Sequence, residues 1–205
     1  MMEQRTEAWH SARAGKATAS RIADIMARTK SGPAASRKNY MAELAIERLT
    51  GTQEEGFKSA DMQWGIIHEG SARDEYCMSR GVLVNECGFF DHPSIPMTGA
   101  SPDGLIGDDG LIEIKCPRSA THIEFLLTGE IDSRYKYQML WQMACTGRQW
   151  CDFVRYDPRM PEKLRMKVVR FERDDEEIAR IEDEVDAFLR ELDAQVEALK
   201  KQLEA

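Results

Sequence analysis

Ser101-Pro102-Asp103-Gly104, the turn-forming Gly107-Asp108-Asp109-Gly110 and the strand-like Leu111-Ile112-Glu113-Ile114-Lys115-Cys116-Pro117 follow one another closely. The middle segment is a tight-turn signal between two apolar runs, so the stretch is expected to close as an antiparallel hairpin. Closure brings Asp103 and Glu113 together at one end. Side chains alternate along a strand, which puts Leu111, Glu113 and Lys115 on one face and Ile112, Ile114 and Cys116 on the other. Charges facing inward among apolar neighbours are costly to bury unless a cation or a phosphate completes them.

That arrangement suits magnesium. The ion keeps several waters and takes only one or two carboxylates plus phosphate oxygens, a supply that Asp103 and Glu113 can meet. A metal so held lowers the pKa of a bound water and screens a scissile phosphate, which is the chemistry of phosphodiester hydrolysis. Lys115 adds a fixed positive charge beside that water. On the residues alone, the same pattern also describes a solvent-facing pair on an edge strand, which strand alternation commonly produces.

The two blocks together resemble the PD-(D/E)xK nuclease superfamily, and within it the lambda-exonuclease and YqaJ-type viral recombinase family. Further blocks in the same order carry the resemblance over roughly residues 5 to 171: Ala8-Trp9-His10, Arg13-Ala14-Gly15, Thr18-Ala19-Ser20, Trp64-Gly65 with Glu69, Tyr135 with Gln138, and Tyr156-Asp157-Pro158-Arg159-Met160. The resemblance implies an α/β (α+β) fold, a central mixed sheet flanked by helices. It also implies a magnesium-dependent 5′→3′ exonuclease on double-stranded DNA that exposes a 3′ single strand for phage-type annealing recombination.

By the same resemblance Asp103, Glu113 and the Ile114 carbonyl ligand the metal, Glu69 supports it directly or through water, and Lys115 orients the nucleophilic water. Two magnesium ions are expected, with manganese as a substitute. His68, beside Glu69, competes for the metal role, because other branches of the superfamily use a helix histidine. Arg13, Ser20, Ser101 and Gln138 match positions that bind the terminal 5′ phosphate, and an arginine fork with hydroxyl and amide donors suits a phosphate dianion. The implied partners are double-stranded DNA ends, a single-strand annealing protein and two further copies of the chain in a homotrimeric ring. The alternatives are a PD-(D/E)xK endonuclease and a catalytically inert DNA-end-binding module. The segment from Ser31 to Tyr40 departs from the family pattern, so no strand-contacting role carries over there.

At 205 residues and 42% hydrophobic, the chain has the material for one core rather than two full domains. Its five cysteines are odd in number and lack CxxC spacing, which fits a reduced cytosol and no structural zinc site. No membrane-length apolar run or leader pattern occurs, so a soluble cytoplasmic protein of a bacterial host cell, phage or prophage encoded, is expected. The net charge of −8 is unequally spread: residues 171 to 205 hold 13 Asp/Glu against 5 Lys/Arg, while the first fifty hold 9 Lys/Arg against 5 Asp/Glu. Arg13, Lys16, Arg21, Arg28, Lys30, Arg37 and Lys38 therefore read as a phosphate-contacting face, or as part of an ordinary mixed surface.

Local signals place a first helix capped by Thr18 or Ser20 and running to about Met26, a loop at Ser31-Gly32-Pro33, and helices over Tyr40 to Leu49 and Met62 to Met78. Strands follow at Val82 to Phe90 and around Met97, Leu105 and Ile112. Helices at His122 to Leu127 and Tyr135 to Ala144, then strands at Cys151 to Tyr156 and Arg165 to Phe171, complete residues 1 to 171, the nuclease domain. Residues 172 to 205 read as an acidic amphipathic helix whose stripe, from Ile178 to Leu203, packs on this domain or a neighbouring subunit with its acids in solvent. Trp9, Trp64 and Trp141 are expected in the core, and His10, His92 and His122 in structural or surface roles.

Overall fold

The computed structural model describes residues 3–53 and 59–203. In chain order the helices are α1 (Glu7–Arg13), α2 (Ile22–Met26), α3 (Ala35–Thr50), α4 (Ala60–Arg80), α5 (Ser119–Thr128), α6 (Ser133–Thr146) and α7 (Asp175–Leu203). The strands are β1 (Ala17–Thr18), β2 (Arg28–Thr29), β3 (Gly32–Pro33), β4 (Val84–Asn85), β5 (Phe90–Asp91), β6 (Thr98–Ala100), β7 (Gly104–Ile106), β8 (Gly110–Lys115), β9 (Trp150–Tyr156) and β10 (Met166–Glu172). Five strands form a mixed sheet in the order β10-β9-β8-β7-β4, a three-stranded sheet runs β1-β6-β5, and β2 and β3 pair as a small ribbon.

The β7–β8 hairpin closes as expected, Ile106 opposite Gly110, with Gly107 in the left-handed region at φ 52°. From β8 the chain crosses over through α5 and α6 and returns as β9, parallel to β8 and in register Leu111↔Cys151, Glu113↔Phe153 and Lys115↔Arg155. Alternation therefore sorts both strands alike. Leu111, Cys151 and Phe153 enter a core with α2, α3, α6 and α7, while Ile112, Ile114, Val154 and Tyr156 enter a second one with Ala72 and Tyr76 of α4. Helices thus cover both faces of the five-stranded sheet, the layered α/β arrangement anticipated from the sequence.

Several local expectations need correction. Thr18 caps nothing with its side chain: it is extended, at φ −114° and ψ 151°, because it pairs with β6, and Ser20 lies inside a 3-10 turn over Ala19–Arg21. The true first helix is α1, capped by Thr6, whose hydroxyl accepts from Trp9 N at 3.3 Å. Helix α3 starts five residues before Tyr40, at Ala35. Val82 to Phe90 is not one strand, since β4 joins the larger sheet and β5 the smaller one. Trp141 is fully buried, but Trp9 and Trp64 are only half-buried.

The charge reading also changes. Helix α7 buries Ile178, Ile181, Val185, Phe188, Leu189, Leu192 and Val196 against the first core, as its stripe predicts, and leaves Leu203 exposed. Its acids are not simply solvated. Glu184 pairs with Arg28, Asp193 with Arg48, and Glu191 takes both ends of the buried Arg37 guanidinium at 2.7 and 2.9 Å. Arg21 is held by Asp24 and Glu43, and Lys16 by Asp91 at 2.6 Å. Most of the basic residues near the start of the chain are thus committed to internal acids, so they do not form the open phosphate-contacting face their spacing suggested. Because α3 and α7 pack side by side, the two oppositely charged ends of the sequence neutralise one another.

Candidate active site

The hairpin fixes the acids. Asp103 stands just before β7, and its Oδ2 accepts the backbone N–H of Ile114 at 2.7 Å, which ties it across to β8. Glu113, on the face shared with Leu111, is fully buried. Its Oε1 accepts from Gln138 Nε2 at 2.7 Å and lies 2.5 Å from Lys115 Nζ, while its Oε2 accepts from Gln142 Nε2 at 2.6 Å. Gln138 and Gln142 are four residues apart on α6, so both amides come from one helix face. The pattern is that of a satisfied buried carboxylate, held by three donors.

Burial pushes the Asp103 carboxyl well above the usual carboxylate range, and the nearby charges of Glu113 and Glu69 raise it further against the opposing effect of Lys115. Burial works against the charged form of Lys115, yet Glu113 and Asp103 outweigh it and hold the ammonium above the ordinary lysine value. Glu69, on α4, pairs with Arg5 and accepts from Arg73 Nη2 at 3.1 Å. Among the described residues no three His, Cys, Asp or Glu side chains converge as a ligand cluster. The donor set nevertheless fits a hard divalent cation: Asp103 sits where carboxylates crowd faster than bases neutralise them, and added positive charge relieves that crowding.

The His68 ring, on α4 next to Glu69, packs 3.9 Å from the Trp64 ring. His92 stacks on Trp141 and His122 bonds the Leu164 carbonyl at 2.8 Å, both structural placements. Of the four residues expected on a 5′ phosphate, the structure joins two. Arg13 Nη1 donates to Ser101 Oγ at 3.2 Å, Trp9 Nε1 donates to the same oxygen at 2.9 Å, and the guanidinium lies 4.1 Å from the centre of the Trp9 ring. Helix α1 thereby hangs Arg13 over the turn that carries Asp103. Gln138 is turned toward Glu113 instead, and Ser20 is exposed on the 3-10 turn that packs against α6.

An open cleft of about 600 Å³ runs alongside, lined among others by Glu69, Ile114, Lys115, Arg134, Tyr135 and Arg155. Sequence reasoning missed Gln142, although its spacing from Gln138 puts it on the same helix face. It missed Trp9 as the platform for Arg13, for which the sequence held no signal beyond proximity. Arg155 it did not single out within the strand at Cys151 to Tyr156.

Residues 8–149 match the profile of the YqaJ-like viral recombinase domain. The crystal structure of an alkaline exonuclease, LHK-Exo, from Laribacter hongkongensis superposes with a TM-score of 0.91 at 56% sequence identity, over 97% of this chain and 98% of that one. The same figures hold for LHK-Exo in complex with dAMP. A phage-related exonuclease from Haemophilus somnus 129PT, 17% identical with a TM-score of 0.70 over 90% of this chain and 96% of that one, shares the fold. A comparison with curated proteins finds no match.

Proposed function

Because the chain belongs to the YqaJ-like viral recombinase family and is a DNA-acting nuclease of that family, we propose that it is a magnesium-dependent 5′→3′ exonuclease on double-stranded DNA. The observation that carries this reading is the joint placement of Asp103, Glu113 and Lys115 at the β7–β8 hairpin, with Arg13 and Ser101 paired at the same turn. A deoxynucleoside monophosphate is the product such a cut releases, and dAMP is the ligand held by the 56% identical exonuclease.

Asp103, Glu113 and the Ile114 carbonyl would hold a magnesium ion, with Glu69 in support, and the ion would supply an acidified water and charge screening at the scissile phosphate. Gln138 and Gln142 hold Glu113 in one orientation. Lys115, released from Glu113, orients the attacking water and offsets negative charge as it develops. Hydrolysis forms a new P–O bond at the phosphate of the next nucleotide and breaks its bond to the 3′ oxygen of the departing one. The strand that remains again ends in a 5′ phosphate. Arg13 and Ser101, joined by Gln138 and Ser20 when DNA is present, grip that phosphate, so the anchor sets polarity and each turnover regenerates the end needed for the next. The exposed 3′ strand is then the substrate of a single-strand annealing protein, in the cytoplasm of a bacterial host. On this reading the nuclease domain extends to the end of β10, and α7 (Asp175–Leu203) buttresses it.

Linear duplex labelled separately at each 5′ and 3′ end, digested with magnesium or with EDTA beside a closed circular control, tests the reading. Loss of 5′ label as mononucleotide, only with magnesium and only from linear DNA, is expected. Rapid cutting of the circle would favour an endonuclease, and binding without cleavage an inert end-binding module.

A further inference from the structure

Arg155 is only 5% exposed, yet it pairs with no acid among the described residues, and its Nε is buried without a hydrogen-bond partner. This is unusual company for a guanidinium, which in a protein interior almost always faces a carboxylate. Its surroundings are aromatic instead: the Tyr135, Phe153 and Phe125 ring centres lie 5.3, 5.3 and 5.5 Å from its guanidinium carbon. Asp132 and Glu124 act on it only from a distance, and burial depresses its pKa.

Position explains what such an expensive side chain is for. Arg155 is the register partner of Lys115 across the parallel β8–β9 pair, so the two cations leave the sheet on the same face. Both stand over the Tyr135 ring, Lys115 Nζ at 5.2 Å, and both line the cleft. Exposed Arg134 covers the same ring at 4.6 Å. In the sheet order β9-β8-β7, Arg155 stands on β9, Glu113 and Lys115 on β8, and Asp103 just before β7, close in sequence to the Ser101 that Arg13 contacts.

Resting on the nuclease reading above, we propose that Arg155, assisted by Arg134, binds a backbone phosphodiester of the degraded strand on the 3′ side of the scissile bond. The aromatic walls hold the guanidinium extended and dry before DNA arrives, so the phosphate meets a preorganised, poorly hydrated cation rather than a solvated one. With an anchor on each side of Lys115, the strand is held at two phosphates and the bond between them is placed over the acids. Arg155 is a positioning residue in this scheme.

The test pairs Arg155→Met, which keeps the packing between the rings, with Arg155→Lys. Both are assayed on 5′-phosphorylated duplexes carrying one neutral methylphosphonate, placed at successive linkages of the degraded strand or of its complement. For the wild type, one methylphosphonate one to three linkages inside the degraded strand should raise KM by roughly tenfold or more. Arg155→Met should show a similar rise on unmodified DNA and no further rise at that linkage, with Arg155→Lys between the two. Arg155→Met should also melt no lower than wild type, because it removes a buried unpaired charge. A lower melting temperature with unchanged KM would reduce Arg155 to a packing role and overturn the proposal, as would sensitivity confined to the complementary strand. If the wild type fails to degrade unmodified 5′-phosphorylated duplex from its 5′ end, the exonuclease reading itself fails, an outcome distinct from either.

Discussion

Lys115 Nζ lies 2.5 Å from Glu113 Oε1, two residues away on the same face of β8. An ammonium in that place supplies, before any substrate arrives, the opposite charge that the two glutamine amides cannot give a buried carboxylate. The same contact makes the two residues separable by experiment, because Glu113 is wholly covered while Lys115 reaches the cleft.

Asp103→Ala and Glu113→Ala should abolish magnesium-dependent cleavage while leaving duplex binding measurable. Lys115→Ala should still bind DNA but cleave more slowly by on the order of a hundredfold, the scale of one lost electrostatic donor. Single-turnover rates on 5′-labelled duplex check all three. Near-normal cleavage by either acid variant would remove the metal assignment.

Arg13→Ala should erase most of the advantage of a 5′-phosphorylated end over a 5′-hydroxyl end, since its charge-assisted contact is the strongest the anchor offers. Initiation is compared for wild type and variant on both duplexes. Equal initiation by the wild type on the two ends would dispose of the anchor.

Asp157 gives a pH signature unrelated to catalysis. Burial alone would raise its carboxyl, but hydrogen bonds from Arg159 and from Ser119, the latter at 2.6 Å, outweigh burial and hold it at about 2. Its folded value lies below the unfolded one, so its stabilisation is complete above about pH 4 and disappears as pH falls toward 2. With Arg159 half exposed, the expected size is on the order of 1–2 kcal/mol. Asp157→Asn should flatten the acid limb of the melting-temperature profile, and an unchanged limb in calorimetry would contradict the assignment.

The family reading further predicts a closed ring of about three chains. Multi-angle light scattering measures it directly. A stable monomer that still digests long duplex without dissociating would count against the ring.

What could be read from the chain tracks how local the determining physics is. The β8 alternation, the end of α4 at Gly81 and the α7 stripe depend on periods of two or 3.6 residues and on one left-handed glycine, and each stands where expected. Helix α1 was overlooked because it is short and buries no residue, leaving no apolar rhythm to detect. Spacing alone puts Gln142 on the helix face of Gln138, but that this face meets Glu113, and that Arg155 stands beside Lys115, follows only once the crossover lays α6 over the sheet and aligns β9 with β8. The pairing of Arg37 with Glu191 is equally invisible, since charge counts say how many ions exist but not which ones meet.

The ion pairs that α7 makes with β2 and α3 set an order of events for a chain made from one end to the other. Arg37 waits for Glu191, 154 residues later, and Arg28 for Glu184, 156 residues later. Until α7 leaves the ribosome, Arg28 and Arg37 lack these acids and the apolar seam lacks Ile181, Val185 and Phe188. Among the described hydrogen bonds these span the longest separations, so α7 docks late and the nascent molecule carries an open, positively charged flank until it does.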